Sequence, residues 1–408
     1  MPAFVLVVFA LVYLGMLLGG LPGLKIDRTG VAMLGALALV AGGALTPGAA
    51  WNAIDVPTIA LLFGLMTISV QLELTGFYAH VAERLAASEI SPRALLALLV
   101  LTAGALSAVL TNDVVCLAFP PLLVRGCFRR GLDPLPYLLG LACAANVGSA
   151  ATLIGNPQNM LVGQSLTLSF TRYLALAIVP TILGLVATWA IVSWSVRGRW
   201  RLDRKPIELA APVYDAASAS KALVLAGLLF VLFLFTDWPR EVLALGAAGI
   251  LLLSRRTSSR TLIARIDGQL LLLFMGLFVV NHAFQASGWA ERGFTALREF
   301  GVDPSKPAVL FLVCVLLSNL VSNVPTMMLL LPLAKAAVPG PEVAGPILAL
   351  SSTLAGNLLL VGSIANLIVA QAAKEQGIEF GWRQHARVGI PVTLVTLALA
   401  AAWLWLVV

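Results

Sequence analysis

The sequence predicts an all-α membrane protein: two inverted repeats, about ten transmembrane helices, two re-entrant helical hairpins and two broken helices. Three observations lead there. Only 11% of the 408 residues are charged and 60% are hydrophobic, whereas a soluble domain carries about 25% charged residues. Three blocks of sequence recur in the same order in both halves. Polar clusters also stand in the middle of segments otherwise apolar enough for lipid.

Apolar runs at residues 3–20, 31–48, 57–76, 173–195, 221–236, 269–286 and 387–408 approach or exceed the ~20 residues that cross a hydrocarbon core of ~30 Å. The first run lacks a basic leader and a small-residue cleavage site, so it reads as a retained span. Residues 197–220 are basic, then rich in Pro, Ala and Ser. They read as a cytoplasmic linker between a first repeat, 1–196, and a second, 221–408.

Within the repeats, residues 61–77 resemble 271–289. VLTNDVVCLAFPPLLV (109–124) matches LVSNVPTMMLLLPLAK (320–335), which sets Asn112 over Asn323. TLIGNPQNMLVG (152–163) matches LLVGSIANLIVA (359–370), which sets Gly155 over Gly362 and Asn159 over Asn366. Alternating loop assignment puts 20 of the 26 basic residues on one face and six (Arg172, Arg240, Arg292, Arg298, Lys306, Lys335) on the other. The positive-inside rule makes the first face cytoplasmic, with both termini outside a cell (inner) membrane. The second repeat then runs upside down relative to the first.

Residues 93–125 and 307–335 are each too long for one crossing and most polar at their centres. A reversal at the tip accounts for both, the first hairpin opening to the cytoplasm and the second to the outside. Ala82–Ile90, with Glu83, Arg84 and Glu89, reads as an interfacial helix. The helix of residues 138–163 is expected to break at Gly155-Asn156-Pro157-Gln158-Asn159, and that of 346–371 around Gly362-Ser363.

Irregular backbone survives at membrane depth only where protein or water satisfies it. Each break creates a helix N-terminus. Asn112 or Asp113, Asn156 and Asn323 are expected caps, with Pro157 and Pro325 in the first turn. Such ends attract anions, while the neighbouring carbonyl, Ser, Thr and Asn oxygens suit Na⁺. The substrate candidates are Thr111, Asn112, Asn156, Asn159, Ser322, Asn323, Thr326 and Asn366. The coupling-ion candidates are Asp113, Gly155, Asn156, Asn323, Gly362 and Ser363, with Na⁺ at the hairpin tips through Asn112 and Asn323. One Asn in a span is ordinary helix glue. Two symmetry-related clusters argue for binding, because polar groups at midplane are costly.

Every Lys and Arg fits in a loop, so Asp113 has no buried base to neutralise it. Such a carboxylate suits proton or cation carriage; a plain helix cap is the alternative. Glu73 can snorkel, His282 reads as a helix–helix hydrogen-bonding residue, and Gly15 and Gly19 form a weak packing motif. The four cysteines have no metal-type spacing and read as small buried hydrophobes. No HExxH, Walker A loop or Cys/His cluster is present, and only one Asp lies deep, so neither an enzyme nor an ATP-driven pump is indicated. The net charge of +7 follows membrane topology and gives no reason to invoke nucleic acid. Beyond Na⁺ as a coupling ion, no cofactor is called for.

The blocks TNDVVCLAFPPLLV, NVGSAATLIGNPQNMLVG, SNVPTMMLLLPLAK and STLAGNLLLVGSIANLIVA resemble the ion transporter superfamily of arsenite permeases, citrate carriers, sodium/proton antiporters of the NhaD type and divalent-anion/sodium symporters. The pattern is most similar to the bacterial inner-membrane anion permeases, which share GNPQN and SNVP. The resemblance implies a secondary transporter of an arsenite-like or carboxylate anion, coupled to H⁺ or Na⁺ by alternating access, often as a homodimer. A sodium/proton antiporter is the alternative. In the symporters both tips carry Ser-Asn-Thr; here Thr111-Asn112-Asp113 and Ser322-Asn323-Val324 replace them. An ionised Asp113 would repel a dicarboxylate, and its Asn-Asp pair points to the proton-coupled branches.

Overall fold

The computed structural model describes residues 1–21, 23–202, 213–254, 256–337 and 340–407. Most of the expected linker, residues 203–212, lies outside the described residues. The first half contains α1 (Pro2–Leu18), α2 (Arg28–Ala41), α3 (Pro47–Asn52), α4 (Val56–Leu74), α5 (Phe77–Ala87), α6 (Pro92–Val109), α7 (Asn112–Arg129), α8 (Leu135–Ser149), α9 (Pro157–Ser165) and α10 (Phe170–Val196). The second half contains α11 (Ala216–Phe235), α12 (Arg240–Leu252), α13 (Ser259–Arg265), α14 (Gly268–Ala286), α15 (Trp289–Glu299), α16 (Pro307–Val321), α17 (Asn323–Ala337), α18 (Pro341–Ala355), α19 (Ile364–Glu375) and α20 (Trp382–Val407).

Each helix of the first half therefore has its counterpart ten helices later. Taking α8–α9 and α18–α19 as interrupted crossings and the helix pairs α6–α7 and α16–α17 as hairpins, each half crosses five times. An odd number of crossings starts the second half on the opposite side, so it runs inverted. The packing repeats in the same exchanged way: α4 lies on α12 as α14 lies on α2, and α7 on α19 as α17 on α9. α10 and α20, each carrying an internal proline (Pro180, Pro391), pack against one another.

Small residues set the closest of these contacts. A Cβ on Gly64 would stand 2.6 Å from the backbone of Ala244 on α12, and one on Gly276 2.8 Å from that of Ala32 on α2. Lipid supplies no hydrophobic drive between helices, so close backbone approach is what holds them. The motif read at Gly15 and Gly19 divides into two roles. Gly15 admits Val31 of α2, whereas Gly19 ends α1 in the left-handed region at φ 81°.

Two expectations are corrected. The run at residues 31–48 is not one helix: α2 stops at Ala41, Gly43 turns the chain at φ 71°, and α3 starts with Thr46 Oγ1 accepting from Ala49 N at 3.1 Å. The interfacial helix expected at Ala82–Ile90 starts earlier, at Phe77, because Gly76 in the left-handed region ends the preceding turn. Its counterpart α15 has no continuous apolar run, and none of its residues is buried.

Long-range contacts sort the loops onto two faces. Trp189 aside, the indoles and ion pairs divide clearly: Trp289 Nε1 to Pro2 O, Trp403 Nε1 to Leu176 O and Arg172 to Glu342 mark one face. Arg256 to Asp215 and Arg265 to Glu73 mark the other.

Candidate functional site: a polar centre between the two halves

The first hairpin turns through Leu110 and Thr111, both extended, before α7 begins. Thr111, not Asn112 or Asp113, occupies the cap position, and its side chain does not cap; its hydroxyl donates to Ser69 Oγ on α4 at 3.3 Å. Asn112 is the first helical residue. Its N–H donates to Gly155 O at 3.2 Å and its amide to Asn146 Oδ1 at 3.2 Å. A neighbouring partner deeper in the molecule has drawn the Asn away from the cap role.

The second hairpin turns on one residue. Ser322 has φ 79° and ψ 161°, a region that costs a non-glycine residue about 1–3 kcal/mol. Its carbonyl accepts from Thr326 N at 3.2 Å and Thr326 Oγ1 at 2.9 Å, so the Thr326 hydroxyl is already committed. Asn323 is likewise the first helical residue rather than a cap. Tyr13 on α1 donates to Pro325 O at 3.1 Å and to Asn281 Oδ1 at 2.8 Å. Asn281, rather than His282, is thus the residue that bonds across helices from α14.

The helix breaks are wider than expected. Residues 150–156 separate α8 from α9, and residues 356–363, with a single 3₁₀ turn, separate α18 from α19. The break starts at Ser149 because Ser149 Oγ turns back to Asn146 O at 2.8 Å and accepts from Asn156 Nδ2 at 2.9 Å. Asn156 caps α9 as its type suggests, accepting from Asn159 N at 2.9 Å.

The two breaks meet through residues that the sequence reading did not single out. Asn146 on α8 accepts from Ser363 Oγ at 2.9 Å and donates to Asn366 Oδ1 at 3.0 Å and Asn357 Oδ1 at 2.8 Å. Thr353 on α18 accepts from Asn156 Nδ2 at 3.2 Å and Gln158 Nε2 at 3.3 Å, and donates to Asn159 Oδ1 at 3.0 Å. Each half therefore offers one buried polar side chain to the broken segment of the other. Asn146 and Thr353 are as far apart in sequence as Gly155 and Gly362, so the repeat itself held the signal. Tyr173, which donates to Ala150 O at 2.9 Å and reaches Asn159, and His385, whose Nε2 lies 2.9 Å from Asn357 O, complete the shell.

Thr111, Asn112, Asn156, Asn159, Asn323, Thr326, Ser363 and Asn366 are all buried, and Ser322 is half-buried. A Cβ on Gly155 would collide with the backbone of Ser149, so this position needs glycine for close approach; one on Gly362 would stand 3.1 Å from Asn319 Oδ1, a tighter but less severe contact. Asp113, half-buried in the first turn of α7, makes no hydrogen bond or ion pair among the described residues. Glu73 pairs with Arg265 at 3.3 Å.

Two buried oxygens stand out. Asn112 Oδ1 and Asn323 Oδ1, at equivalent places in the hairpin tips, have no hydrogen-bond partner among the described residues. Leaving such an acceptor dry and unpaired costs about 1–3 kcal/mol each. Among the described residues no group of three His, Cys, Asp or Glu could hold a metal ion. The oxygens here belong to amides, hydroxyls and carbonyls.

Five crossings repeated upside down, with hairpin tips and helix breaks converging on a shared polar centre, define a membrane transporter rather than an enzyme. Residues 4–355 match the citrate transporter family, and the chain belongs to that family. It is 28% identical over 404 residues to an uncharacterized transporter of Mycobacterium tuberculosis, covering 94% of each chain. It is 26% identical over 460 residues to the silicon efflux transporter LSI3 of Oryza sativa, covering 93% of this chain and 92% of that one. The fold is that of the YdaH transporter of Alcanivorax borkumensis (TM-score 0.58, 16% identity, 99% and 96% of the two chains). It is also that of MtrF of Neisseria gonorrhoeae (TM-score 0.60, 13% identity, 100% and 94%). The resemblance read from the four sequence blocks thus holds.

Proposed function

We propose that the protein is a secondary active transporter of a small anion or oxyanion, arsenite-like or carboxylate, coupled to H⁺ or Na⁺. The observation that carries this reading is the pair of unpartnered tip oxygens, Asn112 Oδ1 and Asn323 Oδ1. A cation such as Na⁺ takes oxygen ligands, and each tip lies against a broken segment: Asn112 beside Gly155, Asn323 beside Gly356. A cation at either tip would place positive charge beside the N-termini of α7, α9, α17 and α19, where an anion is already favoured. The matching family is named for citrate, a carboxylate, which supports the same cargo class.

In this mechanism each hairpin and its neighbouring broken helix move as a body against α1, α2, α4, α11, α12 and α14. The Asn146 and Thr353 crosslinks keep the two moving halves in step. The basic face is cytoplasmic in a cell membrane, both termini are outside, and the protein works as a homodimer whose fixed helices form the shared frame.

Sodium/proton antiport without an anion is the second reading, favoured by Asp113 having no basic partner among the described residues. The test is proton flux in proteoliposomes of purified protein with an internal pH-sensitive dye. If adding Na⁺ alone moves protons, antiport is correct and the anion reading fails. If flux waits for an oxyanion or carboxylate, the anion reading stands and the active compound gives its class.

A further inference from the structure

We infer a second anion site, independent of the transport centre, in the cleft between α5 and α7. The two helices close on one another where Gly126 of α7 faces Ala86 of α5; a Cβ on Gly126 would overlap that of Ala86. Beyond this contact a cavity of about 220 Å³ opens, lined by Glu83, Ser88, Glu89, Arg125, Arg129 and Arg130. Nη1 of Arg125 and Nη1 of Arg130 are both shut off from water and have no hydrogen-bond partner among the described residues. The other terminal nitrogen of Arg130 is engaged, donating to Ile90 O, which fixes the plane of its guanidinium. Neither Glu83 nor Glu89 forms an ion pair with any of the three arginines among the described residues.

The three arginines bring three positive charges to the cavity against the two carboxylates of Glu83 and Glu89, and no ion pair among the described residues neutralises them. Planar guanidinium forks match the spaced oxygens of a phosphate. The carboxylates on the α5 side exclude a second anion and leave the cavity with one surplus positive charge. Tyr78, Ala82 and Leu85 bury one side of α5 while Arg84 and Ala87 are exposed, the form of a helix lying at a membrane surface. The occupant is a phosphate oxyanion held at headgroup level, where it bridges the first hairpin to α5. Its source is an anionic phospholipid or free phosphate.

The experiment is thermal unfolding of the purified full-length protein in uncharged detergent. Short-chain phosphatidylglycerol, short-chain phosphatidylcholine and inorganic phosphate are titrated separately. A saturable rise in Tm with phosphatidylglycerol but not phosphatidylcholine is expected, with the half-saturating concentration raised at least about tenfold, or ~1.4 kcal/mol, in Arg125→Gln. Arg84→Gln, on the exposed side of α5, should keep the wild-type response. An equal rise with inorganic phosphate identifies a soluble occupant of the same site. Should Arg125→Gln fail to fold, Arg125→Lys, which keeps the charge and loses the fork, should weaken the response. No saturable rise with any phosphate compound overturns the site, as does a rise undiminished in the Arg125 variants or equally lost in Arg84→Gln.

Discussion

The two hairpin tips occupy equivalent places in the repeats, yet they are built differently. The first spends two extended residues on its turn, then presents a carboxylate, Asp113, and ties its Asn112 amide to Asn146. The second turns on Ser322 alone, in a strained backbone conformation, and carries Val324 where the first has Asp113. What they share is the free Asn oxygen. A duplicated frame has kept the common acceptor in both copies while charge stayed with one tip and strain with the other.

The largest expected effect follows from the charge. Asp113→Asn should reduce coupled flux to the level of empty liposomes with expression and Tm intact, whereas Val324→Thr at the equivalent place should leave flux measurable. Wild-type coupling in Asp113→Asn would remove the functional difference between the tips.

The next concerns the crosslinks. Asn146→Leu strands four partners, so it should cost about 3–5 kcal/mol. Thr353→Val, nearly the same shape with fewer dependants, should cost about 1–3 kcal/mol. Thermal unfolding of both variants would show whether Asn146 dominates; equal losses would mean that the halves share the load evenly.

Strain gives a change of opposite sign in the two tips. Ser322→Gly should stabilise by up to about 1 kcal/mol by relieving φ 79°. Leu110→Gly, at an already comfortable φ of −114°, should destabilise by at least a similar amount. If Ser322→Gly also impairs flux, the strain belongs to the mechanism.

The smallest effect is a control on what a carboxylate beside a helix N-terminus does. Asp215, outside the membrane, caps α11 through Ser218 N and Oγ and meets Arg256 Nη1 at 2.6 Å. The Ser218 bonds, then Arg256, hold its pKa below the ordinary carboxylate value. A depressed folded pKa means that its contribution is present above the unfolded pKa and lost as pH falls through the folded one. Asp215→Asn should therefore flatten the acid side of the stability curve and leave flux unchanged, unlike Asp113→Asn.

Much of this was legible in the chain. Apolar runs, odd crossings per half and matched blocks specify inverted repeats because lipid tolerates only helices with internally satisfied backbone. The GNPQN break and the two tips were visible as polar residues where hydrocarbon should be. Local sequence failed where a distant partner outcompeted a local role. Asn112 has the chemistry of a cap, but Asn146, on α8, claims its amide. His282 was the conspicuous membrane histidine, yet Asn281 makes the interhelical bond and His385 is the buried ring.

By itself the sequence determined the long apolar helices, roughly where two of them are interrupted and that the halves are inverted, because these depend on periodicity, length and charge along the chain. Only the tertiary structure decided which side chains meet across the halves: Asn146 with Asn366, Thr353 with Asn159. It also decided which oxygens and guanidinium nitrogens are left without partners. A hydrogen bond between residues about two hundred positions apart leaves no local pattern, and an unsatisfied atom is defined by what folding failed to bring to it.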